Sequence, residues 1–209
     1  GDVARGLASR PHQFRYRHQG ISSIIIIPIV SSSRREYIPM GLLPADTIIL
    51  SSAAAIYDGE TYVFGVISSK IHMLWVKLTS GKLRGDIRYL TALSYNTFPF
   101  PKISEAQKQE LEQSVFRILE ERENHSEKTL AQLYDPDKMP QGLREAHRLN
   151  DLAVERCYRS KPFETDEERL EYLFKLSEQM IAEEKTKHTL FQEKKKAKKK
   201  KKIKKLKIK

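Results

Sequence analysis

Apolar positions along this chain follow three different rules. Up to residue 101 they come mostly in short β-branched runs, from 102 to 186 they recur at spacings of three and four, and after 187 they are scattered through a run of lysines. Ile21 to Val30 is bounded by Gly20 and the Ser31-Ser32-Ser33 run and reads as a buried strand. Pro28 lacks an N–H, which argues for an edge position or a bulge. Tyr37 to Leu42 and Thr47 to Leu50 are further strand candidates, separated by the turn residues Pro44, Ala45 and Asp46. From Tyr62 to Leu78, the positions Val63, Ile67, Ile71, Leu74 and Leu78 repeat at the helical period. Gly65 costs such a helix roughly 1 kcal/mol relative to Ala, so either close packing against a strand compensates or the helix begins near Ser68. Thr91 to Phe100 returns to a β-like composition that Pro99 and Pro101 stop.

Beyond Pro101 only helices are expected. Ser104 followed three residues on by Gln107 forms a capping box, with Leu111, Val115, Ile118 and Leu119 as the stripe behind it. Thr165 and Glu168 repeat the device ahead of Leu170, Leu173, Phe174, Ser177, Met180 and Ile181. Between them, Leu143, Ala146, Leu149, Ala153, Val154 and Cys157 outline a third amphipathic helix, approached through Pro136 and Pro140. The fold class is α+β: a small mixed α/β domain over 21–101, then a small antiparallel helical bundle over 102–186. Residues 1–20 carry Arg5, Arg10, Arg15 and Arg17 with few apolar positions and read as a linker or partial helix belonging to an upstream domain. Residues 187–209 read as a Lys-rich tail that charge repulsion keeps disordered when free.

The formal charge of +11 is unevenly spread. The tail holds 13 Lys against the single acid Glu193, so everything before it sums to −1. Residues 1–101 carry a net +5 and residues 102–186 a net −6. A basic front attracts a polyanion, whereas the acidic middle faces protein or solvent. Cys157 has no partner for a disulfide, which fits a reducing, cytoplasmic setting. The apolar run Ile24 to Val30 is far too short to span a bilayer, so no membrane is expected as a partner. The start at Gly1 points to a piece of a longer polypeptide.

Catalytic chemistry is missing from the sequence. There is no Gly-x-Gly nucleotide loop and no Walker-type lysine. The six histidines are not spaced as metal ligands and read as surface or packing residues. Glu183 and Lys185 match half of a nuclease motif, but on a charged helix they read as a solvated face. No catalytic, cofactor-binding or metal residue is assigned.

Binding chemistry is present. Ser32, Ser33, Arg34 and Arg35 place small hydroxyl donors and two guanidiniums at a strand end, which suits phosphate contacts or a guanine edge. The alternative is a surface turn paired to Glu36. Lys82, Arg84, Asp86 and Arg88 alternate, so all four can point to one side; cations read guanine and a carboxylate accepts from the cytosine amine. The alternative here is an internal ion pair of Asp86 with Arg84 or Arg88. Trp75, Tyr95, Phe98 and Phe100 read as core rather than as stacking platforms. The Lys tail binds any polyanion without reading sequence, or is a dispensable end.

Several of these segments resemble one family. Ser33-Arg34-Arg35-Glu36-Tyr37-Ile38-Pro39, the stretch Phe64 to Trp75, Arg88-Tyr89, Tyr95-Asn96-Thr97-Phe98-Pro99-Phe100-Pro101 and Ile103-Ser104-Glu105 are similar to the C-terminal part of MmeI-like, type IIL adenine-specific DNA methyltransferases of restriction-modification systems. Leu130 to Pro140 and Leu152 to Tyr158 resemble that family's helical C-terminal region. The resemblance implies a target recognition domain over 21–101 with double-stranded DNA as partner, and a helical C-terminal domain after it. It also implies an upstream methyltransferase domain of the same polypeptide that binds S-adenosylmethionine. That domain's motifs are not in this chain, so the enzyme would be the parent protein, and the Lys tail is not part of the resemblance. Two rival readings remain: a non-catalytic nucleic-acid-binding adaptor acting through its Lys-rich tail, and a protein-interaction bundle formed by 102–186.

Overall fold

Pro28 turns a corner between two small sheets. The computed structural model describes residues 2–13 and 18–206, except for the side chains of residue 3 and of residues 187–206. A first helix, α1 (Asp2–Ala8), precedes the isoleucine run, which forms β1 (Ser23–Pro28) and β2 (Val30–Ser31). β1 is the centre of an antiparallel sheet between β3 (Gly41–Pro44) and β4 (Ala53–Tyr57). The edge position expected from Pro28 is therefore corrected. Pairing with β3 ends at Ile26 opposite Gly41, so the proline lies where one flank of the strand is already free. The Ile29 N–H then donates to Ser52 O at 3.0 Å, and its carbonyl accepts from Tyr89 N at 2.7 Å, handing the chain to a second sheet. That sheet has the order β2-β6-β5, with β5 (Gly81–Leu83) and β6 (Asp86–Arg88).

Other local expectations change as well. Thr47 to Leu50 is no strand: residues 45–52 are the connection from β3 to β4, with Ile48 and Leu50 turned outward. Of Tyr37 to Leu42, only Gly41 and Leu42 join a strand. The expected single helix is two helices, α2 (Thr61–Ile67) and α3 (Lys70–Thr79), broken at two buried serines. The Ser69 hydroxyl donates to Val66 O and accepts from His72 N, ending one helix and capping the next. Gly65 is compensated by close packing, but against helices rather than a strand. A Cβ there would meet Asn150 Oδ1 at 3.0 Å and Val115 Cγ2 at 3.1 Å. Thr91–Tyr95 is a π-helical turn rather than β structure.

The helical part begins as expected. α4 (Glu105–Glu123) opens on the complete Ser104/Gln107 capping box, and α5 (Leu130–Leu133) has a second complete box in Thr129 and Gln132. α6 (Gln141–Tyr158) follows, and α7 runs Asp166–Leu206. Thr165 accepts from Glu168 N, but the Glu168 carboxylate instead binds Arg159 and the Glu164 N–H. Of the tail read as disordered over 187–209, residues 187–206 have the helical backbone of α7, while their side chains, residues 207–209, and Arg15 and Arg17 lie outside the described residues.

The α4 stripe contributes to three cores. Leu111 packs with Val66, Trp75, Phe98, Val154 and Leu173; Val115 joins the β1 isoleucines and Phe64; Ile118 meets Tyr37, Leu133 and Leu143. The aromatics Trp75 and Phe98 are thus core, as read from their spacing. Front and helical parts share apolar interior along the whole of α4. Among the described residues, no helix is long and apolar enough to cross a membrane.

Candidate nucleic-acid interface

β5 and β6 are joined by a two-residue turn, Arg84-Gly85, with Leu83 opposite Asp86. Both turn residues have positive φ, 52° and 92°, the conformation that matches the twist of a tight hairpin. Glycine adopts it freely, whereas arginine is disfavoured there. The fold therefore holds a long cationic side chain at an exposed tip at some conformational cost. The hairpin corrects the expectation that Lys82, Arg84, Asp86 and Arg88 share one face. Lys82 pairs with Ile87, while Gly81 pairs with Arg88. Cross-strand partners share a face, so Arg88 and Asp86 lie opposite Lys82.

β6 also pairs with β2, placing Val30 beside Arg88 and Ser31 beside Ile87. The turn that follows β2 carries Ser32, Ser33, Arg34 and Arg35. Its Ser33 N–H donates to Asp86 Oδ1 at 3.3 Å, so one carboxylate joins two turns about fifty residues apart in sequence. Neither internal pairing weighed from the sequence forms. Among the described residues, Asp86 makes no ion pair with Arg84 or Arg88, and Glu36 pairs with Arg144 rather than with its arginine neighbours.

The two arginines of the first turn differ in state. Arg34 is exposed and reaches Asp137 with Nη2 at 2.7 Å. Arg35 is half-buried and donates to Ser31 Oγ at 3.3 Å and to Ala131 O at 3.4 Å, which makes it a bracket for the turn. Lys82, Arg84 and Arg88 are exposed and have no side-chain partner among the described residues. Arg88 shares its face of the sheet with the exposed side chains of Val30 and Leu83, next to the turn that carries Arg34 and with Arg84 at the hairpin tip, while Lys82 projects from the other face.

What supports this surface was not visible in the sequence. Tyr37, two residues past Arg35, donates its hydroxyl to Asp151 Oδ2 at 2.7 Å. The same carboxylate accepts from the Lys70 N–H, in the first turn of α3, at 2.7 Å. Burial pushes the Asp151 carboxyl up to about 7, against these two donors, which favour its charged form. It also pushes the Tyr37 phenol well above its ordinary range. Only a pairing between positions 114 residues apart reveals this contact, and helical periodicity carries no such signal.

Elsewhere the titratable groups are structural. Buried His72 lies 3.1 Å from Tyr89 Oη, and buried His147 lies 2.7 Å from Tyr134 Oη. Burial lowers His72 to about 3 and His147 well below its ordinary value, with the nearby Arg122 charge adding to the latter. Among the described residues, no group of His, Cys, Asp and Glu could hold a metal ion.

Comparison with known proteins gives a consistent result. A family model described as MmeI, target recognition domain, matches residues 2–102, and one described as MmeI, C-terminal domain, matches residues 103–184. The chain is 48% identical over 174 residues to DNA methyltransferase A of Bacillus subtilis strain 168, a match covering 83% of this chain and 20% of that protein. It also resembles a solved structure of the type IIL restriction-modification enzyme MmeI in complex with DNA, with a TM-score of 0.80 and 35% identity. That likeness covers 87% of this chain and 24% of the enzyme. The chain thus spans about a fifth to a quarter of the relatives it matches.

Proposed function

Since residues 2–184 belong to the MmeI family, as a target recognition domain followed by a C-terminal domain, we propose that this chain reads DNA sequence for an adenine-specific methyltransferase of a restriction-modification system. Its partners are double-stranded DNA and an upstream methyltransferase domain of the same polypeptide. S-adenosylmethionine would be bound by that domain and not by this chain, and the setting is cytoplasmic. The observation that carries the reading is the junction at Asp86, which ties the turn of Ser32, Ser33 and Arg34 to the hairpin that carries Arg84 and Arg88.

The division of labour follows from the residue types. Lys82 and the serines suit phosphate oxygens, which set register on the duplex. Arg34, Arg84 and Arg88 suit guanine edges, while the half-buried Arg35 shapes the turn. Methylating the amine of an adenine requires flipping that base from the stack, which costs a few kcal/mol. Contacts from this surface offset the cost only where the base edges match, and that ties modification to sequence.

Selection of duplexes from a randomised pool by the 209-residue chain tests the reading. Arg84→Ala or Arg88→Ala is expected to erase preference at one base-pair position each, worth about 1–3 kcal/mol of discrimination. An unchanged selected sequence for both variants would reject these assignments.

The tail supports a second reading, an adaptor that holds nucleic acid through lysines alone, because it supplies more than the whole net charge. Removing residues 187–209 separates the two. On our reading, affinity for every duplex falls and the dependence of log K on log salt becomes shallower, while the selected sequence stays. Loss of all DNA binding on removal would favour the adaptor.

A further inference from the structure

Among the described residues, the Arg34 guanidinium has one hydrogen-bond partner, and it lies outside the recognition part. Asp137 lies between α5 and α6 and takes one of the five N–H donors of the guanidinium, through Nη2. The pair is exposed, with 69% of the Arg34 side chain and 68% of Asp137 open to solvent. Such a pair contributes little to folding, so stability does not explain it. Its surroundings are nevertheless tied together by hydrogen bonds.

The Asp137 N–H donates to Asp135 Oδ1 at 3.0 Å across Pro136, closing a side-chain turn. Lys138 N and Met139 N both donate to Asp135 O, at 3.0 and 2.8 Å. Arg144 then fastens this loop to the recognition turn. Its Nη2 donates to Pro136 O at 3.3 Å, while its Nη1 pairs with Glu36. Both ends of the Arg34–Asp137 contact therefore rest on one support. Glu36 is two residues beyond the arginine, and Pro136 is one residue before the aspartate.

We infer that Asp137 is a positioning residue for target choice, holding the Arg34 guanidinium ordered before DNA arrives so that its remaining donors meet a guanine edge. This rests on the proposed DNA-reading role of the chain. A free arginine loses much rotamer freedom when it binds; one already held loses less, and the saving appears as discrimination at the pair it reads. A specificity determinant would then lie in the C-terminal part, outside the segment matched as the recognition domain.

The test is selection from a randomised duplex pool by the 209-residue chain carrying Arg34→Ala, Asp137→Ala or Asp137→Glu, with thermal melting measured on each. Arg34→Ala is expected to abolish preference at one G·C position. Asp137→Ala is expected to lower preference roughly tenfold at that same position, with the other positions and the melting temperature nearly unchanged. Asp137→Glu, which keeps the charge, should recover part of it. The inference is overturned if Asp137→Ala leaves the preference intact while Arg34→Ala removes it, and the DNA-reading role then stands. It is overturned too if Asp137→Ala tightens binding to all duplexes alike, since the aspartate would then only repel phosphate. If the unaltered chain selects no sequence, the inference and the reading beneath it both fall.

Discussion

Replacing Asp151 by alanine is expected to destabilise the chain by about 2–5 kcal/mol, because a buried and a half-buried donor lose their acceptor at once. The Tyr37 hydroxyl and the Lys70 N–H both end on this carboxylate, which is only 8% exposed. Tyr37 is also stacked on His147, with ring centroids 4.2 Å apart, so it cannot swing out to find water without unpacking. Urea denaturation gives the loss directly. The variant Asp151→Asn keeps an acceptor oxygen and should cost much less, and its effect should depend on pH in a defined direction.

Between about pH 4 and pH 7 the folded chain retains an Asp151 proton that the unfolded chain has released. This carboxyl therefore makes stability fall as pH rises through that window and is level above it. His72 and His147 act oppositely. Their folded values are depressed, so the unfolded chain binds protons below about pH 6.5 that the folded chain refuses, and stability falls as the solution is acidified. Asp151 partly offsets them. With the offset removed, Asp151→Asn should compare better with the unaltered chain at pH 8 than at pH 5, by up to about 1.4 kcal/mol per pH unit inside the window. An equal difference at the two pH values would contradict a raised carboxyl at this position.

Arg122→Ala should rank next, at about 3 kcal/mol in the same measurement. Arg122 is a buried cation whose partners are neutral. It donates to Tyr134 Oη through Nε at 2.9 Å and again through Nη2, and to Met40 O at 2.8 Å. Its guanidinium lies 5.5 Å from the Phe64 ring centre and 5.0 Å from that of Tyr134. The charge sits in the last turn of α4, where the helix dipole favours a cation. Alanine would strand the Met40 carbonyl and the Tyr134–His147 pair and leave a cavity where two cores meet. The variant Arg122→Lys would keep the charge but lose the planar fork that serves both acceptors, so rescue should be partial. Full recovery with lysine would show that charge alone matters there.

Local signals in the sequence carried far where one residue decides the structure. Ser104 with Gln107 specified a cap, Leu111, Val115 and Ile118 specified a buried stripe, and both exist as read. The sequence misled where a buried residue imitates another pattern. Ser68 and Ser69 look like ordinary helix interior, yet their hydroxyls find backbone partners and split the helix. Ala53-Ala54-Ala55 lacks the branched residues that mark a strand, and β4 is held by its partner β1 instead. At the candidate interface, residue types pointed to the two arginine-bearing turns. Their contact through Asp86, and the support from Asp137, Arg144 and Asp151, join positions too distant for any periodicity to link.

The α4 stripe, which enters three cores, bears on how this region could be exchanged between relatives. A chimera cut at residue 101 would ask Leu111, Val115 and Ile118 of one parent to fit cavities shaped by another, and would part Tyr37 from the carboxylate that accepts its hydroxyl. The natural cassette for such exchange therefore extends past α6 into the first turns of α7, where Leu173 closes the core shared with Val66, Trp75 and Leu111.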